Sequence, residues 1–94
     1  MIRDKRIVYK YKLDQETDQV VIVEKNPIVR AVDVQNGAIW VWVEVDSSEG
    51  PAPTVAIPFK MVCTGDTFDT TGLTYLDTLL INKGSLVVHV YYGE

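Results

Sequence analysis

The pair Asn36-Gly37, set between two runs of alternating apolar residues, constrains this chain more than any other feature. Both residues adopt positive φ readily, as a two-residue hairpin turn requires, so the stretch Val29 to Asp46 is expected to fold back on itself. Such a turn fixes the register: Gln35 faces Ala38, Val34 faces Ile39, Asp33 faces Trp40, Val32 faces Val41, Ala31 faces Trp42 and Arg30 faces Val43. Side chains alternate between the two faces of a strand. Val32, Val34, Ile39, Val41, Val43 and Val45 therefore form one apolar wall. Ala31, Asp33, Gln35, Trp40, Trp42 and Glu44 form a half-polar face that carries both tryptophans of the chain. The first face is a core wall, and the second has the character of a contact surface.

Other segments read as further strands. From Arg6 to Leu13 the alternation of Ile7, Tyr9, Tyr11 and Leu13 against Val8, Lys10 and Lys12 predicts a half-buried strand with a cationic outer side. Asp14 to Asp18 is a polar turn leading into a second strand, Gln19 to Glu24, which Asn26-Pro27 stops because proline cannot donate to a ladder. Ser47 to Pro53 is rich in Ser, Gly and Pro and reads as a solvent loop. Thr54 to Thr64 is an apolar strand whose internal Pro58 predicts an edge position, a bulge or a break. Gly65 to Gly72 is a hydroxyl-rich acidic loop with room for one helical turn, and Leu73 to Tyr92 is a final hairpin around Asn82-Lys83-Gly84. Whether that loop has two or three residues is open, and one residue either way exchanges the faces. Seven strands, short turns and no long 3.6-residue period predict a mainly β single domain spanning residues 1–94. The expected form is a small antiparallel sandwich or partly open barrel, with residues 1–5 loosely held. Edge-to-edge pairing of chains is one way such a small sheet protects its edges.

A chain of 94 residues supports one modest core, and 47% hydrophobic with 23% charged residues is the balance of a folded domain. The single cysteine rules out an intrachain disulfide, and the basic start MIRDKRIVYKYK is not followed by an apolar leader, so a cytoplasmic protein is expected. No apolar run reaches the roughly 20 residues that cross a bilayer as a helix, so no membrane partner is expected. Charge is unevenly placed. In the first twelve residues five basic side chains against one acidic give +4, leaving −8 for the rest of a chain whose net charge is −4. Long nucleic acid needs a broad basic surface and is not an expected partner, whereas a small anion needs only a few cations.

Catalytic and metal chemistry have little support. One histidine and one cysteine with no paired spacing make a metal site improbable, and no phosphate-binding glycine motif is present. Cys63, in an apolar run, reads as a small core residue, and His89 as a hydrogen-bonded structural histidine. No enzyme activity and no cofactor are expected. The aromatics are more informative. Tyrosine and tryptophan on strands next to lysine and arginine suit a stacked base with a neutralised phosphate, although Trp40 and Trp42 fit a core or subunit interface better. Arg30, on the apolar face in the simple register, either reaches solvent along its stem or is a buried cation that requires an anion.

Several short motifs in order carry a resemblance. Tyr9-Lys10-Tyr11-Lys12-Leu13, Val34-Gln35-Asn36-Gly37 with Trp40 and Val45-Asp46, Cys63-Thr64-Gly65, Tyr75-Leu76-Asp77-Thr78 and Leu86-Val87-Val88-His89-Val90-Tyr91 together resemble a family of small phage-encoded β proteins. Cys63 and Asp77 stand where that family tends to have glycine. The group is similar to the anti-CBASS sponges of phages. This implies a homo-oligomer, dimer or tetramer, that holds a cyclic dinucleotide signal of the 3',3'-cyclic GMP-AMP class without cleaving it in the host cytoplasm. The residues expected to contribute are Tyr9, Tyr11 and Trp40 for stacking, Lys10, Lys12 and Arg30 for phosphate, and Thr64, Thr67 and His89 for base or sugar edges. The competing expectation is a protein-binding module that acts through the Trp40/Trp42 face.

Overall fold

The computed structural model describes residues 5–47 and 53–93. Residues 1–4 of the start expected to be loose over 1–5, and residues 48–52 of the Ser47 to Pro53 loop, lie outside them, while the Lys5 carbonyl is held by the Ser47 N–H at 2.9 Å. Seven strands follow in order: β1 (Arg6–Leu13), β2 (Asp18–Val23), β3 (Ile28–Gln35), β4 (Ala38–Asp46), β5 (Val55–Cys63), β6 (Leu73–Ile81) and β7 (Leu86–Gly93). All pairs are antiparallel, in a three-stranded sheet ordered β1-β4-β3 and a four-stranded sheet ordered β2-β5-β7-β6. The sheets stay separate, so the fold is a sandwich and not a closed barrel. The loop expected to hold a helical turn contains none.

The Asn36-Gly37 turn forms as its residues dictate, with φ of 52° and 78°. It sets Gln35 opposite Ala38 and carries the ladder as far as Ala31 opposite Trp42. There the register slips. Val29, not Arg30, stands opposite Val43, which makes Arg30 the extra residue of a β-bulge. The bulge keeps Val29 facing inward and turns Arg30 outward, where Nη2 meets Glu44 Oε1 at 2.9 Å. A buried arginine opposite Val43 would have been an unpaired charge in the core, and one extra residue removes it. A chain lacking Arg30 leaves Val29 opposite Val43 in an unbroken ladder, so it is expected to fold cooperatively with an unchanged far-ultraviolet circular dichroism spectrum. Loss of the cooperative transition would show that the bulge itself is required.

The core lies between the sheets. Leu13, Val32, Ile39, Val41, Val43 and Val45 come from the three-stranded sheet, and Val23, Ile57, Phe59, Met61, Leu79, Ile81, Val88 and Val90 from the other. β1 and β4 alternate as the sequence predicts, but Ile7 and Tyr9, whose register points inward opposite Val45 and Val43, remain exposed. Pro58 does not mark an edge or a break: β5 runs whole between β2 and β7. Proline is tolerated because it lies one residue past the last β5–β7 pair, Phe59 with Tyr92, where no ladder bond asks for its N–H. Close approach there also explains Gly93, since a Cβ on it would lie 2.9 Å from Pro58 Cγ.

Because β5 and β6 flank β7, the segment between them must cross β7. Residues 64–72 do so along the outer face of the four-stranded sheet, with Phe68 against Tyr91 at 4.9 Å between ring centroids. This segment is built on side-chain turns: Asp66 Oδ2 accepts from the Cys63 N–H at 3.0 Å and Asp69 Oδ1 from the Thr71 N–H at 2.9 Å. The hydrogen bonds from Thr71 hold the Asp69 carboxyl below its usual range. The β6–β7 connection has four residues, 82–85, because Ile81 pairs with Leu86. Cys63 is exposed at the end of β5, so its assignment to the core is corrected; the strand's last residue has passed the sheet that would cover it.

Candidate functional site

The outer face of the three-stranded sheet gathers most of the charged and aromatic side chains that the sequence singles out. Its central strand, β4, contributes Trp40 and Trp42, both half-buried. Pairing with β1 sets Lys12 beside Trp40 and Lys10 beside Trp42. Pairing with β3 sets Asp33 and Ala31 on the other flank of the same two tryptophans. The Lys10 ammonium sits 4.4 Å from the Trp40 ring centroid, a cation–π contact, and donates to Gln35 Oε1 at 3.1 Å. Lys12 also borders a hollow of about 280 Å³ at the turn end of this sheet, along with Asp14, Gln15 and Gly37. One edge of the face is thus cationic, its middle aromatic and its far edge acidic or amide.

At the opposite end of β4, two arginines converge on one carboxylate. Arg6 Nε donates to Glu44 Oε2 at 2.8 Å, and Arg30 donates to Glu44 Oε1 through Nε at 3.1 Å and Nη2 at 2.9 Å. Arg6 also pairs with Asp46 and donates to the Asn26 carbonyl at 2.7 Å, while Asn26 Nδ2 donates to Asp46 Oδ2 at 2.6 Å. The hydrogen bonds from Arg6 and then Arg30 hold the Glu44 carboxyl below its usual range. Those from Asn26 and then Arg6 do the same for Asp46, and the Glu44 hydrogen bond raises Arg6. Both guanidinium groups therefore already have carboxylate partners. Arg30 is an exposed member of an ion-pair cluster, not a buried cation that requires an anion.

The remaining predicted site residues lie elsewhere. Tyr9 and Tyr11 sit on the inward side of β1, edge to face at 6.5 Å. Burial, then Glu24, raises the Tyr11 hydroxyl above its usual range. Thr64, Thr67 and His89 belong to the opposite sheet. There Thr64 Oγ1 lies 2.9 Å from His89 Nε2, Thr78 Oγ1 lies 2.9 Å from His89 Nδ1, and Tyr75 Oη lies 2.5 Å from Thr78 Oγ1. Thr67 is exposed in the crossing segment. With both ring nitrogens engaged by threonines, His89 ties the crossing segment to β6 and β7. Thr78, Tyr75 and Tyr91 were not among the predicted residues. Tyr91 shares the outer face with His89 by alternation along β7, whereas Thr78 and Tyr75 reach it through the four-residue hairpin loop and a bulge between Tyr75 and Asp77, neither of which has a signal in the sequence.

One chain therefore distributes the nine predicted ligand residues over three surfaces. Lys10, Lys12, Trp40 and Arg30 share the outer face of the three-stranded sheet, Tyr9 and Tyr11 lie beneath its edge, and Thr64, Thr67 and His89 lie on the far side of the sandwich. Among the described residues no cluster of three or more His, Cys, Asp or Glu has the geometry to hold a metal ion, and no helix is long and apolar enough to cross a membrane. No curated protein and no solved structure matches the chain. Residues 4–94 match the profile of a domain of unknown function, DUF7352, and the chain belongs to that family.

Proposed function

We propose that this protein is a non-catalytic binding protein whose Lys10, Lys12, Trp40 and Trp42 face takes a small anion bearing a planar base, of the cyclic dinucleotide class. The observation that carries the reading is the Lys10 ammonium 4.4 Å from the Trp40 ring, with Lys12 paired beside the same tryptophan. A base stacked on the half-buried indole gains roughly 1–3 kcal/mol, and the Lys10 ammonium that it displaces from the ring supplies, with Lys12, point charges for phosphate. In keeping with the resemblance to phage anti-CBASS sponges, the ligand is 3',3'-cyclic GMP-AMP or a close analogue, held without turnover in the cytoplasm of an infected host. Sequestration of this kind needs affinity and abundance only. Arg30, occupied by Glu44, is a secondary contributor, and His89 and Thr64 act in the fold and not on the ligand. A protein partner at the same face is the second reading, favoured by the two half-buried tryptophans side by side at its centre.

Thermal unfolding against a panel of cyclic di- and trinucleotides with linear controls separates these readings. A ligand present at 100 times its dissociation constant stabilises the native state by about 2.7 kcal/mol. The expected result is such a shift for one cyclic dinucleotide, its recovery intact from the heated complex, and loss of the shift in Lys10→Glu and Trp40→Ala. No shift across the panel overturns the ligand assignment and turns attention to a protein partner, for which Trp42→Ala is the sensitive variant. Recovery of cleaved nucleotide overturns the non-catalytic assignment.

A further inference from the structure

Four strands end the two sheets, and three of them carry a feature that discourages pairing with another chain. β1 presents Lys10 and Lys12, β3 has the bulge at Arg30 with Asp33 beyond it, and β6 has a bulge at Leu76 followed by Asp77. Charge, bulges and short length are how soluble proteins protect sheet edges. β2 has no bulge, and its one charge, Asp18, stands at its first position. After Asp18 it reads Gln19-Val20-Val21-Ile22-Val23 in unbroken register with β5, without charge, proline or bulge. Val20 and Ile22, on its outer side, are 60% and 58% exposed.

The backbone of β2 is set for another strand. Met61 N–H donates to the Thr17 carbonyl at 2.8 Å in the register that continues as Asp18 with Lys60. Backbone groups alternate sides along a strand, so the odd residues bond to β5. The N–H and C=O groups of Asp18, Val20 and Ile22 then turn to the open edge. The opposite sheet is open on the same side. Ile7 and Tyr9 of β1 point toward the interior but are 37% and 45% exposed, because β2 is the last strand beneath them. Of the nine large exposed apolar side chains among the described residues, five (Ile7, Val8, Tyr9, Val20 and Ile22) lie on β1 and β2.

We infer that β2 joins antiparallel to β2 of a second copy of this chain, about a twofold axis through Val21, to make one continuous eight-stranded sheet. Only an axis perpendicular to the sheet keeps both cores on one side, and this requires residues of equal parity to face each other. With the axis at Val21, Val20 faces Ile22 of the second copy in a doubly hydrogen-bonded pair. This happens twice, so four β-branched side chains cover one another on the outer face. The second β2 also extends the floor beneath Ile7 and Tyr9. Asp18 then comes opposite Glu24 of the second copy, and the Lys60 ammonium 3.3 Å from Asp18 offsets that repulsion. The inference does not depend on the ligand reading. It does set the Lys10 and Lys12 edges of the two copies on the same side of the dimer, flanking the axis. A six-residue strand join is small beside the roughly 800 Å² per partner of a standard interface, so dimerisation is concentration-dependent.

Sedimentation velocity of the ligand-free protein over a wide range of concentration tests this. A monomer–dimer equilibrium is expected, with Val20→Lys and Ile22→Lys shifting it to monomer and Leu80→Lys, on the outer side of β6, leaving it unchanged. Circular dichroism confirms that each variant is folded. Independently of those substitutions, Val21→Cys in a Cys63→Ser background is expected to form an intermolecular disulfide on mild oxidation, because facing residues on the axis have Cβ atoms about 4.5–5.5 Å apart. Leu80→Cys in the same background is not. A monomer at every concentration, a dimer insensitive to both lysine substitutions, or equal cross-linking of the two cysteine variants overturns the inference.

Discussion

Phe59→Ala is expected to destabilise the fold by about 3–5 kcal/mol, measured as a fall in the urea midpoint at constant slope. Phe59 is the largest of the fully buried side chains, 2% exposed, in the middle of β5, with its ring 6.4 Å from Tyr92 on the neighbouring strand. Cutting it to a methyl removes the transfer energy of a ring and leaves a void. The sheets cannot readily close this void, because Val41, Val43 and Val90 of the same core lie on β4 and β7, each held by ladders on both sides. A domain of this size has a total stability of roughly 5–15 kcal/mol, so a large part of it is at stake. Phe59→Leu keeps most of the volume and is expected to retain a cooperative transition. A loss below about 1 kcal/mol in Phe59→Ala would place the centre of the core elsewhere.

The second large effect is expected at Arg6, where one guanidinium joins the Glu44 carboxylate, the Asp46 carboxylate and the Asn26 carbonyl across β1, β4 and the connection before β3. Glu44 and Asp46 are held below their ordinary values of 4.5 and 3.8, so the folded state binds fewer protons than the unfolded state through the acid range. The stability these groups lend is complete above the unfolded values and is lost as pH falls through the folded ones. Arg6 itself is raised further above its ordinary, already strongly basic value and contributes no dependence there. Wild-type stability is therefore expected to fall from about pH 5 downward. Arg6→Leu is expected to lower the melting temperature at neutral pH and to flatten that acid slope in part, because each carboxylate loses one partner while Glu44 keeps Arg30 and Asp46 keeps Asn26. An unchanged slope in Arg6→Leu would show that Arg6 is not a source of the acid dependence. Such pairs near the surface are individually weak, and it is the sharing of one guanidinium between two carboxylates and a carbonyl that singles this one out.

Most of the strands were legible because their information is local. Asn36-Gly37 announced its turn, period-two alternation announced β1 and β4, and the paired faces of β3 and β4 followed without any knowledge of the rest of the chain. The candidate site was legible in the same measure. Trp40 and Trp42 on one face follow from alternation, and their lysine neighbours follow once β1 is known to pair with β4. What failed were statements that needed more than one element. Arg30 was placed inward because nothing in its neighbourhood marks a bulge; the bulge exists because a charge opposite Val43 would be buried by the other sheet. Pro58 signals an edge, a bulge or a break, yet the ladder it would interrupt ends one residue before it. Cys63 was assigned to the core by the apolar run around it, although the strand ends there.

The sequence by itself determined the class of this protein: seven strands, an apolar side and a polar side for most of them, and an aromatic, cationic outer face on one hairpin and its neighbour. Tertiary structure alone decided that β5 lies between β2 and β7, that residues 64–72 cross over β7, and that His89 meets threonines from two segments. It alone left β2 as the unprotected edge. The physical reason is that alternation depends on neighbours two residues apart, whereas strand order depends on which distant edges meet, and no short stretch of chain records that choice.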